Sequence, residues 1–557
     1  MVQRHQQAEL DDLAGEYFAG EMAYDPFAAS LLGVTGYAHQ VPDPSREAAE
    51  KHRSRLRALG ERLAALPSGG LTGEARISHR VLTALIRGGE DEIRYALDDV
   101  AVSAGVTSPQ AQVLQALAMT PVDEEGPAAF LDRLAALPGY FDATLDRYLS
   151  AAGQGRWPVR SGVESAIAQL DDYLAGELPA DPLVRPVRGH QAEERARALV
   201  GDAVRPALAR FREGLASGLL EHARPDGHVG VCHVPGGAEG YADALARHTR
   251  PGLGAEEIHR IGLEAVAALR EEFAELGGRV LGAATADEAL AALREDPSLR
   301  FGTSAEIVAL VEDALERARE AVPGWFRTYE IAGCVTREVD PLEAETAPLA
   351  YYQPPGPGDR PGTHWINTLR PGTRFRYEYE ALAFHESIPG HHLQIALAQT
   401  LTELPPFRRK AVRMTAHVEG WGLYTERLAD EMGLYSSDIA RFGMLSLDAV
   451  RACRLVVDTG MHHLGWSREK AVAYMRDNTA TTEANVRNEI DRYIAWPGQA
   501  TAYLIGRREI LRQRERARRE LGARFDIKDF HHEVIGHGNL PLAVLDDLVT
   551  DWIATAG

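Results

Sequence analysis

Residues 384–394 read Phe-His-Glu-Ser-Ile-Pro-Gly-His-His-Leu-Gln, which places a His-Glu pair and two further histidines in an apolar, helix-forming stretch. This combination is typical of a metal-assisted hydrolase, because zinc accepts imidazole nitrogen and carboxylate oxygen and a catalytic site leaves one position for water. In the usual His-Glu-x-x-His signature, two histidines four residues apart share one helix face. Here Pro389 stands where the second histidine would be, so the spacing must be achieved in another way.

Pro389 and Gly390 predict a local break in the helix. Proline lacks the backbone N–H and disrupts bonding to the carbonyl of His385, and glycine relaxes the backbone further. We expect a bulge or kink that loops out residues, so that a second histidine still reaches an ion held by His385. His391 needs the shorter loop, whereas the seven-residue spacing of His392 returns to the same helix face, and both remain candidates.

The third metal ligand is expected from a different helix, in the stretch Val-Glu-Gly-Trp-Gly-Leu-Tyr-Thr-Glu at residues 418–426. Glu419 has apolar neighbours, and the glycines at 420 and 422 permit close helix packing. Glu426 lies seven residues further on the same face and is expected to accept a hydrogen bond from a ligand histidine. A second histidine-rich run, residues 531–537, borders a helix end and has no carboxylate stretch to accompany it, so a structural role is favoured there.

Composition restricts the class of protein. The chain has 557 residues, of which 45% are apolar and 25% charged, as in ordinary globular proteins. A net charge of −21 argues against nucleic acid and anionic membranes as partners, since both attract basic patches. The three cysteines are far apart, and residues 1–7 lack the apolar core of a signal peptide, so we expect a cytoplasmic, soluble protein.

Most of the chain shows the period of amphipathic helices, which predicts a mainly α fold. Two strands are expected near residues 349–368, immediately before the metal-site helices expected in residues 377–430. An exposed strand edge could pair with an extended peptide, in which case Tyr351 and Asn367 would contact substrate. The alternative is a β-hairpin packed on the core, and propensity alone does not decide between them.

Several motifs together resemble the bacterial family catalogued as domain of unknown function 885. They are residues 385–394, residues 419–426, Asp-Thr-Gly-Met-His at 458–462, Gly-Trp-Ser at 465–467, Tyr-Ile-Ala-Trp-Pro-Gly-Gln-Ala at 493–500 followed by Tyr503 and Gly506, Pro-Gly-Gly at 235–237, and the strands between Tyr351 and Asn367. The resemblance therefore extends over most of the chain.

The resemblance implies a mostly helical zinc metallopeptidase, distantly similar to the thermostable carboxypeptidase, oligopeptidase and angiotensin-converting-enzyme groups. Those proteins hold zinc in a deep channel between helical halves and cleave short peptides. We therefore expect one metallopeptidase-like unit over residues 1–557, with a helical half at 1–228, a catalytic half at 229–557, a deep channel, and a small β-sheet near the active site.

A hydrolytic mechanism follows as an expectation. Zn²⁺, held by His385, His391 or His392, and Glu419, would polarise a water molecule and the scissile carbonyl, with Glu386 as general base. His462 and Tyr503 resemble positions that stabilise the oxyanion in related peptidases, although buried structural roles are an equal alternative for both.

Substrate binding is expected to involve arginine. Arg451 and Arg454 lie one helical turn apart, and either could hold a peptide carboxylate, with Arg454 the predicted substrate-binding residue. The expected substrate is a short peptide or small amide, and the oligomeric state is left open. Two alternatives remain: a zinc amidase acting on a non-peptide substrate, and a catalytically inactive peptide-binding helical protein. The intact Glu386 argues against the inactive form, because a binding protein has no use for a base.

Overall fold

The computed structural model describes residues 2–119, 122–340, 344, 347–356, 360–410 and 414–556. The first part of the chain is helical throughout, as predicted. Its helices are α1 (Val2–Tyr24), α2 (Pro26–Leu31), α3 (Arg46–Ala65), α4 (Gly73–Tyr95), α5 (Pro109–Met119), α6 (Val122–Gly153), α7 (Arg160–Ala175), α8 (Glu193–Leu199), α9 (Arg205–Gly218), α10 (Gly237–His248), α11 (Ala255–Val280), α12 (Ala286–Glu295) and α13 (Ser304–Trp325).

The second part begins with three strands and then returns to helices. The strands are β1 (Cys334–Glu338), β2 (Ala350–Gln353) and β3 (Gly362–Ile366). The helices that follow are α14 (Glu378–Glu386), α15 (His391–Thr400), α16 (Pro406–Lys410), α17 (Thr415–Glu431), α18 (Asp438–His462), α19 (Arg468–Asn478), α20 (Glu483–Ala495), α21 (Ala502–Leu521), α22 (Ile527–Ile535) and α23 (Leu542–Thr555). The prediction of a mainly α fold with a small β-sheet is confirmed.

Hydroxyl side chains fix the starts of several helices around the site. Thr303, Ser437, Ser467 and Thr482 each precede a helix and accept a hydrogen bond from a backbone N–H in its first turn. The first N–H groups of a helix have no partner inside it, so these caps stabilise each start by about 1 kcal/mol.

The sheet has the strand order β1-β3-β2. The two predicted strands are β2 and β3, which pair antiparallel with Tyr351 opposite Trp365. A third strand that was not predicted from the sequence, β1, pairs parallel to β3 on its other side. Two of the five residues of β1 are partly buried and three are exposed, so the apolar alternation that marks a strand is weak there.

Helix α18 lies at the centre of the molecule, since every residue from Phe442 to His462 is buried. It packs along α11 on one side and contacts α14 on another. Because a fully buried helix has no face turned to water, its polar side chains need partners within the protein. Asp448 accepts from Arg427, for example, and Asp458 accepts from Tyr241.

The apolar cores join residues from both sides of position 228. One core unites α1, α3 and α4 with Phe407, Leu540 and Val544. The largest core adds Val100 and Val159 to apolar residues that extend from 229 to 542. No helix in the part of the chain that the structure describes has both the length and the apolar character to traverse a lipid bilayer.

Candidate metal centre

The predicted break separates the two metal-site histidines. Helix α14 ends at Glu386 and α15 begins at His391, with non-helical dihedral angles at Ser387 and Gly390. Gly390 approaches the preceding helix so closely that an added Cβ would lie 1.9 Å from the carbonyl oxygen of His385. The break is therefore a tight turn that only glycine allows at this position, and it returns His391 to the side of His385.

Three side chains converge where the sequence predicted a metal. Among the described residues, His385, His391 and Glu419 form a group whose ligand atoms all lie within 4.8 Å of one another. The Oε2 atom of Glu419 lies 3.6 Å from Nε2 of His385 and 3.5 Å from Nε2 of His391. Two ligands about 2.0–2.1 Å from a tetrahedral zinc ion would be about 3.3 Å apart, so the group fits such an ion with one position left.

Glu426 fixes the orientation of His385. The Nδ1 atom of His385 lies 2.8 Å from Oε1 of Glu426, a fully buried carboxylate on the same helix as Glu419. Since a carboxylate only accepts, Nδ1 donates the hydrogen bond and the lone pair of Nε2 faces Glu419. This is the role that the sequence analysis predicted for Glu426.

Carboxylates lie close to both histidines of the candidate centre. Burial opposes a charge on His385, but the carboxylates of Glu419 and Glu426 beside its ring outweigh burial and raise its pKa to about 9. Burial likewise opposes the charge of Glu419, yet contacts with His385 and His391 hold its pKa well below the usual range. The same field that favours a proton on His385 favours any cation held between these side chains.

The structure places His391, and not His392, with the other ligands. Nδ1 of His392 lies 3.0 Å from the hydroxyl of Tyr352 on β2, and the ring also hydrogen-bonds to the backbone at Ala332. Burial lowers the pKa of His392 to about 4, so the ring is neutral. The inclusion of His392 among the metal ligands is therefore corrected: it joins α15 to the sheet.

Glycines bring the ligand helices together. A Cβ on Gly422 would lie 2.6 Å from Cε1 of His385, so α17 and α14 meet at this point without an intervening side chain. Trp421, which lies between Gly420 and Gly422 in the chain and is fully buried, donates its indole N–H to the carbonyl of Pro389 at 3.0 Å. Residues 419–422 therefore provide a candidate metal ligand, the glycine at which α17 contacts α14, and a tryptophan whose hydrogen bond stabilises the helix break.

Glu386, the predicted base, is the last residue of α14 and lies next to the ligand His385. Burial raises the pKa of its carboxyl above the usual value, although the charges of His385 and His391 oppose the shift. The carboxyl therefore holds a proton more readily than a carboxyl in water does, which suits a group that must both accept and release one.

Tyr503 lies beside Glu419. Burial and the charge of Glu419 raise the pKa of its phenol, against the charges of nearby arginines, so the hydroxyl keeps its proton. The guanidinium carbon of Arg454 lies 4.4 Å from the centre of the Tyr503 ring, and that of Arg451 lies 5.9 Å away. The structure thus places Tyr503, the predicted donor, next to the candidate ligand Glu419, with the two predicted carboxylate-binding arginines against its ring.

His462 does not have the predicted role. Its Nδ1 accepts the backbone N–H of Val231 at 3.2 Å, and its Nε2 donates to the carbonyl of Tyr493 at 3.0 Å. Both ring nitrogens are occupied inside the core, so His462 has no proton to offer an oxyanion. Its placement at a helix end in a shared motif reflects this structural contact.

Asn367 is also structural. Its amide donates to the carbonyls of Ala344 and Ala347, and its oxygen accepts from the backbone of Leu369 and from Arg374. With all of these bonds made and no exposed surface, Asn367 has nothing left for a substrate. Tyr351 is partly exposed and stacks on Trp365 at 6.1 Å between ring centres, so its contact with substrate stays a prediction.

Glu489, an acidic residue that was not predicted from the sequence, pairs with two arginines. Glu489 on α20 accepts hydrogen bonds from Arg454 and Arg492, and from the hydroxyl of Tyr493. Arg492 and Tyr493 follow Glu489 by three and four residues and therefore share its helix face. This spacing was the feature of the sequence that could have indicated the contact. Nothing in the local sequence indicated that this face meets α18.

Comparisons with known proteins place the chain in a family. The model of a bacterial family described as "protein of unknown function (DUF885)" matches residues 26–549.

A solved structure described as "putative lipoprotein" from Colwellia psychrerythraea is 26% identical, with a TM-score of 0.91 over 100% of both chains. Another, a "putative lipoprotein of unknown function" from Shewanella oneidensis, is 18% identical with a TM-score of 0.72, over 97% of this chain and 99% of that one, which shows the fold alone. None of the curated proteins matches this chain. Because the family model covers nearly all of it, the chain belongs to the bacterial family of unknown function DUF885.

Proposed function

We propose that the protein is a zinc-dependent hydrolase that cleaves peptide bonds in short peptides. The observation that supports this proposal best is the convergence of His385, His391 and Glu419 within 4.8 Å, with the carboxyl of Glu386 next to them in the chain. Two imidazoles and one carboxylate form the protein ligand set of a catalytic zinc site, which retains one position for water.

Each residue has a distinct task in this proposal. A divalent ion bound by the three ligands would act as a Lewis acid on the scissile carbonyl and on a water molecule. Glu386 removes a proton from that water and delivers it to the leaving amine, which its raised pKa assists. Tyr503 donates a hydrogen bond to the negative charge that develops on the scissile oxygen and keeps its proton.

The decisive experiment combines metal analysis with a cleavage screen. Protein purified without chelator should contain about one equivalent of zinc and cleave members of a dipeptide-to-decapeptide panel. In Glu386→Gln, zinc should stay bound while turnover falls by about 10²–10⁴-fold, because the ligands are intact and the base is lost. Glu403→Gln, at an exposed glutamate outside the site, is the control and should change neither.

The outcomes separate the alternatives. Full activity in Glu386→Gln would exclude this residue as the base. Hydrolysis of non-peptide amides without any peptide cleavage would favour the amidase. Stoichiometric zinc with no hydrolysis of either class would favour a peptide-binding protein.

A further inference from the structure

Two buried arginines and one partly buried arginine lie together next to the candidate metal centre. They are Arg451 and Arg454 on α18 and Arg492 on α20, and we name them the arginine cluster. The side chains of Arg451 and Arg454 are only 9% and 8% exposed, and that of Arg492 is 20% exposed. Burying guanidinium groups is costly unless each is paired with a carboxylate and its N–H groups are hydrogen-bonded.

The cluster has too few carboxylates. A single oxygen of Glu489 accepts Nη2 of Arg454 at 2.7 Å and Nη2 of Arg492 at 3.2 Å, and the Tyr493 hydroxyl besides. Among the described residues, the carboxylate that forms an ion pair with Arg451 is Glu426, at 3.8 Å, and the oxygen concerned already accepts from His385. Arg454 and Arg492 thus share one carboxylate, that of Glu489. Arg451 forms only a long ion pair with a second carboxylate, that of Glu426.

Hydrogen-bonding capacity is also left over. Nε of Arg451, Nη1 of Arg454 and Nε of Arg492 are buried and have no hydrogen-bond partner among the described residues. Arg514 differs in its charge pairing: its two Nη groups bind both oxygens of Glu431, at 2.8 and 2.7 Å, although its Nε likewise has no partner. The arginine cluster therefore has both unpaired charge and unused donors, which are the features of a site that an anion completes.

Helix packing sets this cluster beside the ligands. A Cβ on Gly420 would lie 2.5 Å from the backbone of Gly506, so α17 and α21 touch at these two residues. Glu419 precedes the first glycine, and Tyr503 precedes the second by about one helical turn. Tyr503 therefore lies close to Glu419, and the guanidinium carbon of Arg454 lies 4.4 Å from the centre of its ring.

From this arrangement we infer that the arginine cluster binds a carboxylate of the substrate, so that the enzyme selects short peptides with a negative charge close to the scissile bond. The inference rests on the proposed hydrolase function and names its substrate class. Two sources supply this chemistry: the free C-terminus of the peptide and the side chain of an aspartate or glutamate.

The first test uses the wild-type zinc protein and two matched substrate mixtures. The first contains all dipeptides of the standard amino acids as free acids, and the second contains the same dipeptides as C-terminal amides. Free acids should be cleaved about 10- to 100-fold more efficiently, the value of a charged hydrogen-bonded pair. Among the amides, those ending in aspartate or glutamate separate the two sources: selective cleavage of these shows side-chain recognition. Equal cleavage of acids and all amides would overturn the inference.

A variant then assigns the selectivity to the cluster. In Arg454→Gln, the ratio of kcat/KM for acids to that for amides should fall towards one, mainly through a higher KM for the acids. Arg454→Lys keeps the charge without the planar fork and should give an intermediate ratio. Arg468→Gln is the matched control, because Arg468 forms a complete two-bond pair with Asp491, on the same helix as Glu489. A wild-type ratio in Arg454→Gln would remove the cluster from recognition.

A binding measurement keeps this inference separate from the hydrolase proposal. Zinc-free wild-type protein should show a higher thermal midpoint with the free-acid dipeptides than with the amides, since binding stabilises the folded state. If the zinc-free protein prefers the free acids but the zinc protein hydrolyses neither mixture, the carboxylate site is supported and the hydrolase proposal is wrong. If the zinc protein hydrolyses peptides but neither measurement shows a preference for the free acids, the hydrolase proposal is supported and the carboxylate site is wrong.

Discussion

At the scale of single residues, the metal centre depends on which nitrogen of each histidine is free. Glu426 holds the Nδ1 proton of His385, so Nε2 faces Glu419. His391 also faces Glu419 through Nε2. His392, the next residue, has its ring bonded to Tyr352 and to the backbone at Ala332. Adjacent histidines thus have opposite tasks, because successive helical side chains point about 100° apart.

This difference predicts separate effects for two neighbouring substitutions. His391→Gln should reduce bound zinc well below one equivalent, because it removes one of the three ligands. His392→Gln should keep zinc near one equivalent and instead lower stability by about 1–3 kcal/mol, since Tyr352 loses a buried hydrogen-bond partner. Metal analysis and urea unfolding of both variants provide the test. Zinc loss in His392→Gln with full retention in His391→Gln would reverse the ligand assignment.

At the scale of the elements, the crossing of α17 and α21 places Tyr503 beside Glu419. Gly420 and Gly506 make the crossing close, and an added Cβ on Gly506 would lie 1.8 Å from the carbonyl oxygen of Ala416. A backbone oxygen cannot move aside as a flexible side chain does, so any side chain at 506 forces the helices apart.

Gly506→Ala is therefore expected to destabilise the protein although alanine is the better helix former. The loss should be about 1–3 kcal/mol or more in the free energy of unfolding, measured with urea. Gly15→Ala, in α1, is the matched control: nothing lies within 4 Å of the added Cβ. There the change should stabilise by about 0.5–1 kcal/mol, because only the conformational entropy of glycine is removed. A gain in stability at both positions would contradict the close crossing.

At the scale of the whole molecule, an ion-pair network ties the N-terminal helices to the C-terminal region. Arg408, which is fully buried, donates to Glu74 of α4 and to the carbonyl of His537. Nδ1 of His537 lies 2.6 Å from Glu74, and its Nε2 lies 3.3 Å from Glu533. The histidine-rich run at 531–537 is thus used for packing and pairing, as the sequence analysis favoured.

This network predicts a pH dependence of stability. Burial opposes the charge of His537, but hydrogen bonds to Glu533 and Glu74 raise its pKa to about 9. In the unfolded chain the pKa is about 6.5, so the stabilisation is complete below that pH and is lost as the pH rises through 9. The measurement is urea unfolding of wild-type protein and His537→Gln at several pH values. Their difference in stability should shrink between neutral pH and pH 10, and a constant difference would contradict the pairing.

Much of the molecule follows from local patterns. Helical periodicity predicted the mainly α fold, and the β2 and β3 strands were found from their branched and aromatic residues. The motif around residue 385 indicated two ligands, the Glu-Gly-Trp-Gly stretch indicated the third, and Pro389 with Gly390 indicated the helix break. The two-halved division, the deep channel, the zinc ion, the peptide substrate and the cytoplasmic location stay predictions.

Local sequence was sufficient to nominate His385, His391 or His392, and Glu419 as metal ligands and to place them on helices, because residue chemistry and helical period are local properties. Only the packing of the whole chain shows that His391, and not His392, faces Glu419. It also shows that the side chains of His462 and Asn367 form hydrogen bonds with the backbone, and that Arg454 and Arg492 share Glu489. Each of these depends on where a distant helix or strand packs, and the chain immediately around a residue does not specify its long-range neighbours.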